Sequence, residues 1–177
     1  MNFLRTLALA HQKHEGYGTK KAVTITKNNN PGALRWHSGQ KIFGGEYRED
    51  FTWFPSYTQG FEALKADLVA KITGHSAHID YSKNPTFLDY IKVYAPTEDS
   101  NNPNSYTQAL VSDLVKAGYN VSPSTLLSVL SRYLQASNSV SDRIIQINYS
   151  RILRAFKRAT GAAKRKLGRL LNRLNRK

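Results

Sequence analysis

The excess positive charge of this 177-residue chain is concentrated at its C-terminal end. Residues 143–177 hold 12 Lys or Arg and no Asp or Glu, whereas residues 1–142 hold 14 basic and 12 acidic residues. The net charge of +14 therefore comes almost wholly from the tail. Such an asymmetry indicates two parts, a near-neutral body and a cationic appendage directed at a polyanion. We assign residues 1–138 to the body and residues 139–177 to the tail.

The apolar residues of the tail, from Ile144 to Leu174, recur every three or four positions. This spacing predicts an amphipathic helix, with Ser141 as its N-cap. Three interpretations remain open: the helix lies in an anionic membrane interface, contacts nucleic-acid phosphates, or packs on the body with a solvated basic face. The cations that we expect to bind the bacterial envelope are Arg151, Arg154, Lys157, Arg158, Lys164, Arg165, Lys166, Arg169 and Arg173.

The composition of the chain excludes several classes of protein. It has no cysteine, which rules out disulfide frameworks and thiolate sites within these residues. Ten Tyr, seven Phe and two Trp are enough large side chains for a core. No apolar run approaches the ~18–20 residues of a membrane span, and the opening apolar stretch is shorter than the ~7–15 residues of a signal-peptide h-region. We therefore expect residues 2–14 to form the first helix of a folded body.

Hydrophobic periodicity predicts four further helices in the body. Their apolar runs begin at Phe61, Phe87, Tyr106 and Leu126, and Pro123 is expected at the first position of the last helix. Residues 16–32 are rich in Gly and Asn and predict a loop.

Two aromatic pieces, residues 34–37 and 51–54, lie around Gly44 and Gly45 and predict a small β-hairpin. The fold class predicted by these patterns is mainly α, an α+β domain with a hairpin wing followed by the C-terminal amphipathic helix.

Glu15 is the acidic residue whose position in the sequence indicates a possible catalytic role. It follows the predicted first helix and precedes the turn Gly16-Tyr17-Gly18. Partial burial beside aromatic rings raises a carboxyl pKa above about 4.3, which lets the group hold a proton near neutral pH and donate it. On position alone, a solvated surface Glu is the commoner interpretation.

Six blocks in a fixed order give Glu15 a context, and together they resemble a family of phage and bacterial lysozyme-like domains. The blocks are His14-Glu15-Gly16-Tyr17, Asn28-Asn29-Asn30-Pro31-Gly32-Ala33-Leu34-Arg35, Phe51 to Pro55, Gly60-Phe61-Glu62-Ala63-Leu64, Tyr90 to Pro96, and Tyr106. The resemblance covers about residues 5 to 130. It implies a lysozyme-like helical core with a β wing, peptidoglycan cleavage by a lytic transglycosylase or muramidase, and Glu15 as the general acid. Ala33 departs from the pattern, because the family usually has Asn there.

Substrate-binding roles are expected for residues in these blocks. Asn29 and Asn30 contact sugar or shape their loop by Asx turns. Arg35 pairs with a carboxylate of the muropeptide or with an acid of its own chain. Trp36 offers a ring face to sugar.

Further aromatic residues complete the predicted site. Tyr94 and Tyr106 hydrogen-bond an N-acetyl group or Glu15. Trp53 and Phe54 stack on sugar or pack in the core.

The mechanism depends on whether a second carboxylate exists. Hydrolysis by the usual route needs one ~5 to 9.5 Å from the acid. Glu46, Glu49 and Asp50 are candidates, but exposed turn charges explain them equally well. We therefore favour a lytic transglycosylase, in which the substrate's own C6 hydroxyl attacks C1.

The expected partners and location follow from this assignment. We expect a monomer that uses no cofactor. We also expect no metal site, because His75 and His78 lack the spacing of a zinc motif. It acts on peptidoglycan after delivery in a virion or release from the host cell, and the tail binds lipopolysaccharide, teichoic acid or membrane. The rival hypothesis is a non-enzymatic phage structural or DNA-binding protein on a degenerate lysozyme-like scaffold.

Overall fold

The computed structural model of the chain describes residues 2–136. Within this range it is mostly helical with one two-stranded antiparallel sheet, which confirms the mainly α prediction at that level. The elements are α1 (Phe3–His14), α2 (Val23–Lys27), β1 (Glu46–Arg48), β2 (Phe51–Trp53), α3 (Tyr57–Ile72), α4 (Phe87–Tyr94), α5 (Pro103–Lys116) and α6 (Leu127–Ala136). The tail helix, its envelope-binding cations and the predicted boundary at 138–139 lie outside the described residues.

The described chain forms two compact units. The first unit comprises residues 2–14 and 67–136, and the second comprises residues 15–66. The change from the second unit to the first falls within α3, between Ala66 and Asp67. No helix of residues 2–136 is long and apolar enough to span a membrane.

Helix α1 gives the first unit its core because its apolar residues form one stripe. Leu4, Leu7 and Ala8 are fully buried, and α1 packs against α5 and α6. At the start of the helix, the ring of Phe3 stacks on Tyr133 with centroids 5.3 Å apart. The 3.6-residue period that predicted this helix is therefore the period of its buried face.

The start of α6 differs from the prediction. Pro123 lies in a turn before the helix, and α6 begins at Leu127. The reason is an extended pairing that uses these backbone groups: Leu127 N donates to Pro85 O at 2.9 Å, and Thr86 bridges Leu126. A backbone engaged in such pairing cannot also form the first helical turn.

The hairpin of the second unit exists, but its turn was predicted in the wrong place. The turn residues are Glu49 and Asp50, with φ values of 44° and 69°. Two successive left-handed residues match the right-handed twist of a tight hairpin, and Gly or Asn usually supplies them. Gly44, also left-handed at φ 73°, instead ends the 3-10 helix Ser38–Phe43. The first aromatic piece does pair with the second, through the Arg35–Phe51 bridge.

Candidate functional site

Glu15 is the first residue of the second unit and directly follows α1. It is half-buried. The chain turns at once after it, because Gly16 has φ 71°, and a Cβ there would lie 3.2 Å from Thr19 Oγ1. The left-handed backbone at this turn explains why the residue after Glu15 is glycine.

Asn30 is fully buried, and its amide is engaged by backbone groups. Its Nδ2 donates to Leu34 O and to Thr52 O, each at 2.9 Å. Its Oδ1 accepts from Leu34 N, also at 2.9 Å. These bonds tie the loop to β2, which is the loop-shaping alternative that the sequence left open.

Asn29 also shapes this loop. It is left-handed at φ 52°, and its Nδ2 donates to Phe54 O at 3.0 Å. Its carbonyl oxygen comes so close to Gly60 of α3 that a Cβ at Gly60 would lie 1.8 Å away. The loop and the helix therefore meet backbone to backbone, and only glycine allows this approach.

Ala33 is left-handed as well, with φ 47°. This conformation is unfavourable for alanine, whereas asparagine tolerates it better. Alanine at this position therefore carries backbone strain.

The two remaining predicted binding residues of the second unit are accessible. Arg35 is exposed and Trp36 is half-buried. The indole Nε1 of Trp36 is buried without a hydrogen-bond partner within the described residues. The ring of Trp36 contacts Tyr47 edge-on at 6.2 Å, and Lys41 Nζ lies 5.9 Å from its centroid.

The other two aromatic candidates of the second unit differ in burial. Phe54 is fully buried, so core packing is its described role. Trp53 is half-buried, and the Arg48 guanidinium covers its ring at 4.3 Å. A sugar stacking on that face of Trp53 would have to displace Arg48.

Tyr94 and Tyr106 lie in the first unit, around His11, which sequence reasoning did not assign to the site. His11 is fully buried. Its Nδ1 lies 3.0 Å from the Tyr106 hydroxyl and its Nε2 lies 2.7 Å from the Tyr90 hydroxyl. The Tyr94 ring is 4.4 Å from the imidazole. His11 lies on the buried face of α1, so the helical spacing of the sequence predicts that it is buried. That spacing does not predict which tyrosines it contacts.

The His11 imidazole is held in its neutral form. Burial lowers its pKa well below 6.5, and the charges of Lys71 and His14 lower it further. A neutral imidazole has one donor and one acceptor nitrogen, so one of Tyr90 and Tyr106 donates to the ring and the other accepts from it. Protonation would leave two donors and place a charge beside Lys71 in the core.

Acid is therefore expected to destabilise the first unit through His11. Because the folded-state pKa is depressed, the unfolded state binds more protons below 6.5. The stability that neutral His11 contributes is present above that value and is lost as pH falls toward the folded-state pKa. His14 acts in the same direction, since burial lowers its pKa too. Urea unfolding followed by far-UV circular dichroism at about pH 8 and about pH 5 measures the effect.

His11→Gln is the decisive variant for this expectation, because glutamine keeps a donor and an acceptor but does not titrate. The variant should depend less on pH between these values, whatever its stability at high pH. Exposed His78 provides the matched control as His78→Gln. An unchanged pH dependence in His11→Gln would refute the assignment.

The wing carboxylates remain turn and surface groups in the structure. Glu46, Glu49 and Asp50 are exposed, and Glu46 Oε2 lies 3.9 Å from Arg48. Among residues 2–136, no group of three or more His, Cys, Asp or Glu side chains is arranged to hold a metal ion.

Comparisons with known proteins identify no family for this chain. No family model and no solved structure matches it. A curated protein named cytochrome P450 2C12, female-specific, from Rattus norvegicus is 30% identical over 99 residues. That match covers 52% of this chain and 20% of the rat protein, so the chain spans about a fifth of the length of the curated protein it matches.

Proposed function

We propose that this protein cleaves the glycan strands of peptidoglycan, with Glu15 as the general acid. The observation that carries the proposal is the order of the six blocks along residues 14–106, headed by a half-buried carboxyl group that directly follows α1. No other carboxyl group of the chain combines this sequence context with that position.

The chemistry requires a proton at the bridging oxygen between N-acetylmuramic acid and N-acetylglucosamine. Protonated Glu15 donates that proton as the glycosidic bond breaks, and an oxocarbenium-like centre develops at C1. The resulting carboxylate then takes the proton of the substrate's C6 hydroxyl while that oxygen bonds to C1. We propose this lytic transglycosylase route over hydrolysis, because the candidate second carboxylates of the wing, Glu46 in β1 and Glu49 and Asp50 in the turn, are exposed.

The second unit supplies most of the proposed substrate contacts. Asn29 and Asn30 position the loop through their backbone partners. Exposed Arg35 binds a peptide-stem carboxylate, and half-buried Trp36 offers the accessible part of its ring to a sugar. The substrate-binding roles of Tyr94 and Tyr106, which belong to the first unit, stay predictions, and the Tyr106 hydroxyl lies 3.0 Å from His11 Nδ1.

The proposed reaction uses no metal or cofactor.

Product analysis tests the proposal. The full-length protein is incubated with purified peptidoglycan, and the released muropeptides are weighed by mass spectrometry. Intramolecular ring closure gives anhydro-muropeptides lighter by one water than hydrolysis products, so the two mechanisms are separated. Absence of soluble fragments, together with binding to duplex DNA in a gel shift at ~150 mM salt, would favour the non-enzymatic rival.

The tail is proposed to concentrate the enzyme on the anionic bacterial envelope. Removing residues 143–177 deletes 12 cations and no acidic residue. We expect the shortened protein to clear purified peptidoglycan at an unchanged rate but to bind intact cells at least about tenfold more weakly at low salt. Co-sedimentation with cells over a salt series measures this, and circular dichroism checks folding. Equal cell binding by both forms at low salt would remove the targeting role.

A further inference from the structure

The body is near neutral in total charge, but one of its segments is basic. Between Glu15 and Glu46 the sequence has no acidic residue, while it has five Lys or Arg. All of residues 16–45 belong to the second unit. This unit therefore carries a cationic surface that is separate in sequence from the tail.

Three of these cations are grouped in one short segment, residues 18–27, which we call the lysine turn. Lys20, Lys21 and Lys27 are exposed, and none forms an ion pair within the described residues. Five other lysines of residues 2–136 do form ion pairs with Asp or Glu: Lys13, Lys65, Lys71, Lys83 and Lys92. Lys41 and Lys116 also lack an ion pair within residues 2–136, but they stand apart in the sequence, whereas the lysine turn groups three such lysines in one short segment.

The lysine turn has a defined shape, because its backbone is held from inside. Thr26 Oγ1 accepts from Gly18 N at 2.9 Å and donates to Ala22 O at 2.7 Å. Ile25 is buried and anchors α2 below the surface, and its carbonyl accepts from Asn30 N at 2.9 Å. The lysines are therefore presented on an ordered turn that is tied to the Asn loop.

An apolar side chain lies among the lysines. Val23, the first residue of α2, is an apolar residue with 47% of its surface exposed. Thr24, the next residue, and Lys27, about one helical turn after Val23, are exposed as well. An exposed apolar residue in a segment of exposed lysines matches the boundary of an anionic bilayer, where lysines meet headgroups and the apolar side chain reaches the acyl region.

We propose that the lysine turn docks the second unit on the surface of an anionic phospholipid bilayer. Duplex or single-stranded nucleic acid fits the turn less well, because residues 18–27 contain no arginine for bidentate phosphate contacts and no aromatic ring for base stacking. The proposal does not depend on glycosidic cleavage, and it places a second contact with the membrane beside any made by the tail.

Vesicle binding by the full-length protein tests the proposal with a matched pair of triple variants. Lys20→Gln/Lys21→Gln/Lys27→Gln removes three charges from the turn, and the control Lys83→Gln/Lys92→Gln/Lys116→Gln removes three exposed charges from the first unit. At about fivefold per lysine near the surface, the turn variant should bind vesicles of phosphatidylglycerol and phosphatidylcholine on the order of 100-fold more weakly at low salt. The control should stay within about threefold of the unaltered protein, since its lysines lie outside the lysine turn.

A second pair isolates the apolar contribution without changing charge. Val23→Ser should weaken binding to the same vesicles about threefold or more, whereas Val115→Ser, which alters an equally exposed valine of the first unit, should leave it unchanged. Equal losses within either pair would overturn the proposal, because binding would then follow net charge or general hydrophobicity.

Two further measurements separate this docking from other functions. The turn variant should clear purified peptidoglycan at the unaltered rate, so its failure and the failure of the catalytic proposal are distinguishable. A gel shift with duplex DNA completes the test. Loss of DNA binding in the turn variant, with vesicle binding retained, would reassign the turn to nucleic acid.

Discussion

Replacement of Glu15 by Gln is expected to reduce the rate at which the full-length protein clears a peptidoglycan suspension by about 10²- to 10⁴-fold, the usual contribution of general acid catalysis. Gln matches Glu in size and keeps a hydrogen-bonding capacity. It has no acidic proton to give to the leaving oxygen, and it cannot become the carboxylate that accepts the C6 hydroxyl proton. The loss should therefore appear in the catalytic rate, whereas binding to insoluble peptidoglycan should persist.

A matched carboxylate provides the control for this result. Glu98 is exposed in the first unit, and Glu98→Gln should clear the suspension at the unaltered rate. Fluorescence of the two tryptophans, Trp36 and Trp53, which both lie in the second unit with Glu15, checks that Glu15→Gln is folded. A folded Glu15→Gln variant that clears at the unaltered rate would exclude this residue as the acid.

The spacing of apolar residues predicted the longer helices, because these helices are stabilised by burial of one face. Leu4, Leu7 and Ala8 in α1 illustrate this, since the same spacing that is visible in the sequence is the buried stripe in the structure. Helix α2 was missed and its segment predicted as loop, because Val23–Lys27 is too short to show a period and is held by Thr26 and its neighbours.

The wing shows a second limit of sequence patterns. The pair Gly44 and Gly45 gave the stronger turn signal, yet the hairpin turns at Glu49 and Asp50, although glutamate has a low intrinsic preference for left-handed backbone. The register of β1 and β2 and the Gln40 bond to Thr52 hold the turn there. Tertiary contacts thus determine the position of the turn, and the local sequence does not reveal these contacts.

The candidate site was partly accessible to sequence reasoning. The block order singled out Glu15, Asn29 and Asn30, but the engagement of Asn30 with β2 depends on backbone groups 22 residues away. Likewise, the bonds of His11 reach tyrosines 79 and 95 positions along the chain. Hydrogen bonds between residues so far apart produce no periodic pattern in the sequence. The sequence therefore indicated which residues belong to the candidate site, and the structure showed what they contact.

Gly60→Ala is expected to destabilise the second unit by about 3 kcal/mol or more, at or beyond the upper end of the ~1–3 kcal/mol usual for overpacking. Helix propensity alone would favour alanine by about 1 kcal/mol. The added Cβ, however, would lie 1.8 Å from Asn29 O and 3.0 Å from Pro31 Cδ, and a backbone carbonyl cannot rotate away as a side chain does. Urea unfolding followed by tryptophan fluorescence reports on this unit, and exposed Thr58→Ala in the same helix should change the midpoint little. An unaltered midpoint for Gly60→Ala would mean that the Asn loop does not approach α3 as described, and the positions of Asn29 and Asn30 in the proposed site would fall with it.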